Sequence, residues 1–457
     1  MLAVLISTYE LGRQPFGLAS PAAWLRHAGA RVICLDLAVD RLDEEAIRVA
    51  DLVAFYLPMH TATRIATRVV ERVKTLNPHV HLCFYGLYAS MNEPLLRSLG
   101  ADTILGGEFE EGLLSLTKRL SARPGEARGI LQVEPVVSLS KQRFLVPDRS
   151  GLAALSKYAW LELGDGQRRT VGYTEASRGC KHLCRHCPVV PVYQGQFRVV
   201  QQDVVLEDIR RQVAAGAAHI TFGDPDFFNG IGHAVALVRA LHAEHPGLTY
   251  DVTIKIEHLL NYAEHLKTLK DTGCLFVTSA VESIDDPVLA LLDKGHTRED
   301  FIRVVRLCRE VGLILNPTFV AFTPWITVGG YQDLLSLLAE LDLVDQVAPI
   351  QLAIRLLIPA GSRLLELPAV RQMVKPFDEA ALVYPWQHRD PRVDQLQADV
   401  QTLIQAAAGH GHCRRTIFSQ VWLLAEEASE GSSCPLPPTA QAPPRVIIPY
   451  LTEPWYC

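Results

Sequence analysis

The stretch TEASRGCKHLCRHCP, residues 174–188, places three cysteines in one short loop. Three residues separate Cys180 from Cys184, and two separate Cys184 from Cys187. The stretch follows a candidate strand and contains a glycine and short polar residues, which are typical of a loop. Three thiolates on one loop can hold three corners of a cubane iron–sulfur cluster. The fourth iron would then lack a protein ligand and be open to a substrate or cofactor.

Zinc offers a second interpretation of this loop. Structural zinc sites usually pair two dicysteine units, or a cysteine pair with histidines at set distances. His182 and His186 lie inside the loop, so a Cys3His zinc site is an alternative. Three unligated cysteines that are neighbours by coincidence are the third interpretation.

Strands and helices alternate over residues 171–365, which we predict to be the core domain. Six repeats of a strand and a helix predict most of a β/α barrel, but they are too few for the closed eightfold form. Catalytic side chains should then lie at the carboxyl ends of the strands. The candidate strands are VGYTEAS, HITFGD, TYDVTIKI, LFVTSAV, ILNPTFVAF and IQLAIRLLIP.

Residues 1–122 show a second alternation of short apolar strands and amphipathic helices. This pattern predicts an α/β domain with a flavodoxin-like, doubly wound parallel sheet. Ligands of such sheets bind beyond the carboxyl ends of the strands. In the first predicted helix, Ser20 is expected as the N-cap and Pro21 as the first helical residue.

The rest of the chain divides into three segments. Residues 123–170 are rich in glycine, proline and polar residues, and we expect a linker that carries a short helix at LAALSKYAWL. Residues 366–433 are predicted to be helical. Residues 434–457 are rich in proline and are expected to be extended.

Composition excludes several classes of protein. The 457 residues are 49% hydrophobic and 21% charged, unlike a disordered chain. A net charge of −6 gives no basic excess for binding duplex nucleic acid. No apolar run reaches the roughly 18 residues that would span a membrane, and the N-terminus is interpreted as a strand rather than a signal peptide. Scattered cysteines outside the loop favour a cytoplasmic enzyme.

The cysteine loop resembles that of the radical S-adenosylmethionine (radical SAM) enzymes, whose hallmark is three cysteines at this spacing. The resemblance covers most of residues 171–365. It implies that Cys180, Cys184 and Cys187 bind a [4Fe–4S] cluster whose open iron chelates S-adenosylmethionine. One electron would then cleave the sulfonium and start hydrogen abstraction from a substrate. His186 stands where the family usually has an aromatic residue.

Two further segments resemble the same family. Gly223, Asp224 and Pro225 stand where many members have a turn that touches the methionine amino group. Glu282 and Ser283 stand in a string similar to the family segment that contacts S-adenosylmethionine. Without the resemblance, an Asp-Pro turn and a carboxylate near a helix N-terminus would explain these residues.

Three other polar residues are candidates for binding a substrate or cofactor. Lys255 and Glu257 are predicted to alternate on one face of the third strand, and Arg355 to point into the barrel from the sixth. A buried ion pair is the alternative for each of them.

The N-terminal domain resembles the cobalamin-binding domain that is often fused ahead of this core. The resemblance rests on the order of elements and on the segment GGEFE at residues 106–110. The Asp-x-His-x-x-Gly signature, which supplies a lower ligand to cobalt, is absent. Cobalamin binding and a domain that only shapes the substrate entrance both stay open.

The last residues, EPWYC, resemble the tail of radical SAM proteins that end in Cys-Sec-Ala-Glu-Pro or Cys-Cys-Ala-Glu-Pro. Here the sequence stops at Cys457, the first cysteine of that tail. We expect that a selenocysteine codon follows and that Cys457 belongs to a redox pair. An ordinary terminus with an isolated cysteine is the alternative.

The resemblance as a whole implies a radical SAM enzyme with a flavodoxin- or ferredoxin-type electron donor and a small-molecule or peptide substrate. With cobalamin, methylation of an unactivated carbon is the leading reaction; without it, a rearrangement or an oxidation is open. The rivals are a methylthiotransferase with a second iron–sulfur centre, a zinc-structured binding module, and a cobalamin or light sensor. The cysteines outside the loop are isolated in sequence: Cys34, Cys83, Cys274, Cys308, Cys413 and Cys434.

Overall fold

The computed structural model describes residues 1–122, 134–163, 166–408, 413–429 and 450–451. Within these ranges, no helix has both the length and the apolar character needed to cross a membrane. Cys434, Cys457 and most of the predicted extended tail lie outside the described residues.

The first domain is built on six parallel strands in the order β2-β1-β3-β4-β5-β6, which confirms the flavodoxin-like sheet. The central strand β1 is buried throughout, with Val4 and Ile6 in one hydrophobic core and Ala3 and Leu5 in the other. Successive side chains of a strand point to opposite faces, so a strand covered by helices on both sides must be apolar throughout. The strands are β1 (Leu2–Ser7), β2 (Arg31–Asp36), β3 (Leu52–Tyr56), β4 (His81–Tyr85), β5 (Thr103–Gly107) and β6 (Val137–Ser138).

The first helix begins earlier than expected. It starts at Phe16, and Ser20 lies inside it rather than capping it, because the Ser20 hydroxyl donates to Glu110 Oε1 at 2.6 Å. Pro21 is tolerated within the helix because the Tyr85 hydroxyl donates to the carbonyl of Gly17, which the proline leaves without its helical donor. The helices of this domain are α1 (Phe16–His27), α2 (Glu44–Arg48), α3 (His60–Leu76), α4 (Leu87–Met91), α5 (Glu93–Ser98) and α6 (Glu110–Ser121).

The second domain is a curled half-barrel sheet in the order β14-β13-β12-β11-β8-β7-β15, in which β8 and β11–β14 are parallel. The predicted sixth strand is wrong. Pro349–Leu352 forms a 3-10 helix, and only one parallel bridge joins Arg355 to Phe322. Pro349 lacks an N–H for a ladder, and the Gln351 side chain instead accepts the Phe319 N–H at 3.0 Å. The strands are β7 (Trp160–Glu162), β8 (Arg168–Thr174), β9 (Ser177–Gly179), β10 (Phe197–Val199), β11 (His219–Phe222), β12 (Thr249–Thr253), β13 (Cys274–Glu282), β14 (Ile314–Phe319) and β15 (Tyr450–Leu451).

The predicted linker is more structured than expected. Part of it adds β6 to the first sheet, and the predicted helix at LAALSKYAWL is a 3-10 turn, Leu155–Lys157, followed by β7. The 3-10 turn does not continue as a helix, and the Ala159 N–H instead donates to the carbonyl of Gly12 in the first domain. The remaining helices are α7 (Val189–Tyr193), α8 (Gln202–Ala214), α9 (Ile231–Glu244), α10 (Ile256–Asn261), α11 (Leu266–Asp271), α12 (Asp286–Leu292), α13 (Arg298–Val311), α14 (Val328–Glu340), α15 (Pro368–Met373), α16 (Pro391–Ala408) and α17 (Arg414–Glu427).

Candidate functional site

The cysteine loop leaves the half-barrel at the carboxyl end of its first parallel strand, β8. It begins after β9, whose last residue, Gly179, has a φ of +75°. A Cβ there would lie 2.5 Å from the carbonyl oxygen of Gln196, so only glycine fits. The Cys187 N–H donates to the Cys184 carbonyl at 3.2 Å, and the chain then enters α7.

The three thiols of this loop are free, and Cys184 is only 6% exposed. Burial raises the pKa of Cys180 to about 11 and that of Cys187 to about 12, with a further contribution from Cys184 in both cases.

The turn after β11 braces the start of the loop. Asp224 is buried, and its two carboxylate oxygens accept from the Ser177 hydroxyl at 2.5 Å and the Ala176 N–H at 2.9 Å. Gly223 donates its N–H to Thr174 at 2.8 Å, and Pro225 is exposed. The Asp224 carboxylate is therefore engaged by the chain itself, and burial raises its pKa to about 7.

Glu282 lies at the end of β13 and faces the cysteine loop. Its Oε1 is 3.1 Å from His186 Nε2 and 3.4 Å from Lys294 Nζ. Burial opposes the charged form, but Lys294 and His186 lower the pKa of Glu282 to about 2. Its φ of +69° is rare for a residue with a side chain and is typical of functional sites. The neighbouring Ser283 hydroxyl accepts the Asp285 N–H at 3.1 Å.

Lys294 was not predicted from the sequence, although it lies in the string that follows Glu282. Its ammonium is buried, and the charges of Glu282, Cys184 and Cys187 raise its pKa despite that burial. His296, two residues later, is also buried, and both of its ring nitrogens lack a hydrogen-bond partner in the described part of the chain. A carboxylate and an ammonium thus lie close to the thiols, and a neutral imidazole lies beside the ammonium.

The other three candidate residues lie in different places from those predicted. Strand β12 ends at Thr253, so Lys255 precedes helix α10 and Glu257 lies within it, with 3.3 Å between their charged groups. The charge pair is real, but it lies beyond the strand end rather than on the strand face. Arg355 is bound by the C-terminal region, 2.7 Å from Asp394 and with its guanidinium 3.6 Å above the Trp386 ring.

The structure also brings together three residues that were not grouped from the sequence: His182 in the cysteine loop, Asp226 after β11 and His258 in α10. Asp226 Oδ2 lies 2.7 Å from His258 Nδ1 and 3.4 Å from His182 Nε2. His186, the other loop histidine, instead faces Glu282. Each loop histidine thus lies against a carboxylate.

The two domains meet directly behind the cysteine loop. Arg178, two residues before Cys180, is buried and binds Glu110 at 2.7 Å, Glu108 at 3.4 Å and Glu175 at 2.6 Å. Glu108 and Glu110 belong to the segment after β5 that was singled out in the sequence. The loop is therefore anchored to the first domain through a buried charge network.

Polar atoms without partners lie just past the carboxyl end of β1, where doubly wound sheets bind ligands. Ser7 Oγ and Glu10 Oε2 are buried and have no hydrogen-bond partner among the described residues. At the end of β5, the backbone of β6 packs directly against Gly107. A Cβ on Gly107 would lie 2.3 Å from the carbonyl oxygen of Ser138. The edge of the sheet therefore offers free polar groups at β1 and is closed at β5.

Comparison with protein families matches two models to this chain. The Radical SAM superfamily model matches residues 174–324, and the B12 binding domain model matches residues 2–117. The first range holds the cysteine loop and Glu282, and the second holds the parallel sheet. A radical SAM domain implies a [4Fe–4S] cluster and S-adenosylmethionine, and the B12-binding domain supports cobalamin as a further cofactor.

Curated relatives include methylases. The chain is 26% identical to the hopanoid C-3 methylase of Methylococcus capsulatus over 332 residues, which are 68% of this chain and 62% of that protein. It is 26% identical to the bacteriochlorophyllide d C-8(2)-methyltransferase of Chlorobaculum tepidum over 211 residues, 41% of this chain and 44% of that one. The chain thus matches less than two thirds of the length of either relative.

Solved structures share the fold across most of the chain. OxsB, a cobalamin-dependent S-adenosylmethionine radical enzyme, superimposes with a TM-score of 0.72 at 14% identity, over 93% of this chain and 71% of that one. TsrM from Kitasatospora setae, a radical S-adenosylmethionine methyltransferase, gives 0.62 at 19% identity, over 80% and 75%. The family matches, seen with the cysteine loop and the parallel sheet, show that this chain carries a radical SAM domain preceded by a B12-binding domain.

Proposed function

We propose that the chain is a cobalamin-dependent radical SAM methylase that methylates an unactivated carbon of a small molecule or peptide. The observation that carries the proposal is the contact between β9, the strand that leads into the cysteine loop, and the B12-binding domain. Glu108 and Glu110 of that domain bind Arg178, two residues before Cys180. The hopanoid and bacteriochlorophyllide methylases among the relatives support the same class of reaction.

The residues fit the cofactors that this function needs. Cys180, Cys184 and Cys187 are free thiols on one loop and would hold the [4Fe–4S] cluster. Ser7 and Glu10, with buried polar atoms that lack partners, would face cobalamin at the edge of the sheet. Bound together, the cluster, S-adenosylmethionine and cobalamin supply one-electron cleavage of the sulfonium and transfer of a methyl group.

The chain's own residues would bind and orient S-adenosylmethionine. Glu282 is ionised at neutral pH and can accept hydrogen bonds from the amino or hydroxyl groups of S-adenosylmethionine. Lys294 balances the charge of the Glu282 carboxylate. Gly223, Pro225 and Ser283 would line the same site. We assign Asp224 a different role from the one expected: because both oxygens accept from the chain, it is a positioning residue that braces the loop.

The remaining partners follow from the chemistry. One-electron cleavage needs an external reductant of the flavodoxin or ferredoxin type. The described cysteines are all free, as expected in a reducing compartment, and we infer a cytoplasmic enzyme. Lys255 and Glu257, past the end of β12, would contact substrate.

A methylthiotransferase is the second candidate, because the relatives include the ribosomal protein uS12 methylthiotransferase RimO of Parabacteroides distasonis. The chain is 22% identical to that protein over 189 residues, which are 38% of this chain and 42% of that one. Such an enzyme would need a second iron–sulfur centre. In the part of the chain that the structure describes, Cys34 and Cys83 are buried in the first domain, and Cys274 and Cys308 in the core of the second. About eight irons per chain, rather than about four, would favour this candidate.

The test combines cobalamin binding with turnover. Anaerobically reconstituted protein is incubated with hydroxocobalamin, desalted and examined by visible spectroscopy, and S-adenosylmethionine products are then measured under reduction. We expect about one cobalamin per chain and formation of S-adenosylhomocysteine. The double variant Ser7→Val/Glu10→Gln should retain less cobalamin and keep its iron. A cluster that responds to S-adenosylmethionine in a protein that retains no cobalamin would overturn methylation and leave a hydrogen-abstraction reaction.

A further inference from the structure

Three side chains from separate parts of the chain converge at the cysteine loop: His182 belongs to the loop, whereas Asp226 follows β11 and His258 lies in α10. The ligand atoms of His182, Asp226 and His258 all lie within 4.8 Å of one another. The shortest separation is 2.7 Å, from Asp226 Oδ2 to His258 Nδ1, and His182 Nε2 lies 3.4 Å from the same oxygen. Ligands that share one metal ion at bonds of 2.0–2.1 Å lie about 3.3 Å apart. The separation between His182 and Asp226 matches this value, and that between His258 and Asp226 is shorter.

The converging atoms are short of partners. Asp226 is 1% exposed and His258 is 2% exposed, so neither is hydrated by bulk water. Among the described residues, Asp226 Oδ2, His258 Nδ1 and His182 Nε2 approach one another without a well-aligned hydrogen bond and have no other hydrogen-bond partner. Burying such atoms unpaired is costly.

The other atoms of the same side chains are held as metal ligands usually are. Asp226 Oδ1 accepts the Phe228 N–H at 3.1 Å, which leaves Oδ2 free to act as a single donor. His182 Nδ1 lies 3.5 Å from Glu257 Oε2. A ligating histidine commonly points its second nitrogen at a carboxylate, which fixes the ring and raises its basicity.

We propose that His182, Asp226 and His258 bind one divalent transition-metal ion, in addition to the cluster of the cysteine loop. Two imidazoles and one carboxylate suit Fe²⁺ and Zn²⁺ better than Mg²⁺ or Ca²⁺. Three protein ligands leave coordination positions open, so the ion can also bind an oxygen, nitrogen or sulfur atom of a substrate. The site goes beyond the proposed methylation and does not depend on it.

The test uses Zn²⁺ as the probe on cluster-loaded protein. Reconstituted protein is treated with zinc chloride under anaerobic conditions, desalted and analysed for zinc and iron by mass spectrometry. We expect about one zinc per chain in the parent protein and at least about tenfold less in Asp226→Asn and His258→Gln, with iron unchanged. His233→Gln is the matched control, because His233 also has a ring nitrogen without a partner but lies apart on α9, and it should retain the zinc.

X-ray absorption at the zinc edge then identifies the ligands. Nitrogen and oxygen ligation is expected, whereas sulfur ligation would show that zinc had entered the cysteine loop and would overturn the proposal. Parent protein without zinc, or variants that retain it fully, would overturn it as well. If Asp226→Asn also loses iron, His258→Gln decides, because His258 lies in α10, outside the loop. The zinc measurement needs no turnover, so it is distinct from the test of methylation.

Discussion

Arg178 Nη2 lies 2.7 Å from Glu110 Oε1, and both side chains are almost fully buried. The arginine comes from the strand that leads into the cysteine loop, and the glutamate comes from the first turn of α6 in the B12-binding domain. Aromatic rings of Phe16, Phe109 and Phe144 surround the guanidinium at 5.0–5.6 Å. The backbone that presents Cys180 is therefore set in part by the neighbouring domain.

Removing this cation should destabilise the protein strongly. In Arg178→Met, the buried Glu108 and Glu110 and the partly buried Glu175 lose their counter-charge, and we expect the free energy of unfolding to fall by about 3–5 kcal/mol. Arg72→Met is the matched control, because Arg72 pairs with Glu44 on the surface and should cost less than about 1 kcal/mol. Urea unfolding measures both variants. Equal losses would contradict the account of the junction.

The same network should give a pH dependence. Burial raises the pKa of Glu108 to about 7 from an ordinary value of 4.5, although Arg178 opposes the rise. Between those values the folded state keeps a proton that the unfolded state has lost, so stability falls as pH rises from 4.5 to 7. Over this range, the titration of Glu108 lowers the free energy of unfolding by about 3 kcal/mol.

The measurement is the difference in unfolding free energy between the parent protein and Glu108→Gln at pH 5 and pH 8. Glutamine keeps an oxygen that can accept from the Tyr193 hydroxyl, which lies 3.1 Å from Glu108. The parent protein should lose stability relative to the variant as the pH increases. A difference that does not change with pH would show that Glu108 titrates normally.

Glu282 should contribute to the affinity for S-adenosylmethionine. A hydrogen bond to a charged acceptor contributes about 1.5–3 kcal/mol, so Glu282→Gln should weaken binding roughly 10- to 150-fold without loss of iron. Anaerobic calorimetry on reconstituted protein measures the dissociation constant. Glu299→Gln, at an exposed position in the first turn of α13, should leave the affinity unchanged. Unchanged binding in Glu282→Gln would remove the assigned role.

Gly179 should be essential for loading the cluster. Alanine there would have an unfavourable positive φ, and its Cβ would lie 2.4 Å from Tyr193 Cδ1 as well as against Gln196. We expect Gly179→Ala to lose most of its iron after reconstitution. Gly216→Ala is the control, because Gly216 has a φ of +98° but no atom within 4 Å of an added Cβ. It should cost about 1 kcal/mol of stability and keep its iron. Equal iron in the two variants would contradict the steric argument.

Local patterns were enough to predict much of the fold. Strands such as β1 are apolar throughout because both faces are covered, and this feature is visible in a single sequence. The cysteine spacing could also be recognised in a single sequence, because all three thiols lie within eight residues. The prediction of a sixth strand failed although IQLAIRLLIP is apolar enough for one. The side chain of the buried Gln351 accepts the Phe319 N–H, which a neighbouring strand would otherwise accept through its backbone.

The candidate site was harder to predict where it depends on contacts distant in sequence. His258 is 32 positions from Asp226 and far from His182, so no local spacing joins them. Asp224 resembled a ligand for S-adenosylmethionine, and only the structure shows both of its oxygens accepting from the chain. Lys255 and Glu257 follow an alternating pattern, but the chain turns into α10 before that pattern could place them on one strand face.

The most direct test of the central claim is electron paramagnetic resonance of the reduced, reconstituted protein with and without S-adenosylmethionine. We expect a [4Fe–4S] signal from about four irons per chain that changes when S-adenosylmethionine is added. Cys184→Ala should lose the signal, and Cys413→Ala, at an exposed cysteine outside the loop, should keep it. A protein that assembles no cluster would contradict the assignment of Cys180, Cys184 and Cys187 as ligands. A cluster whose signal does not change with S-adenosylmethionine would contradict the binding of S-adenosylmethionine at the cluster.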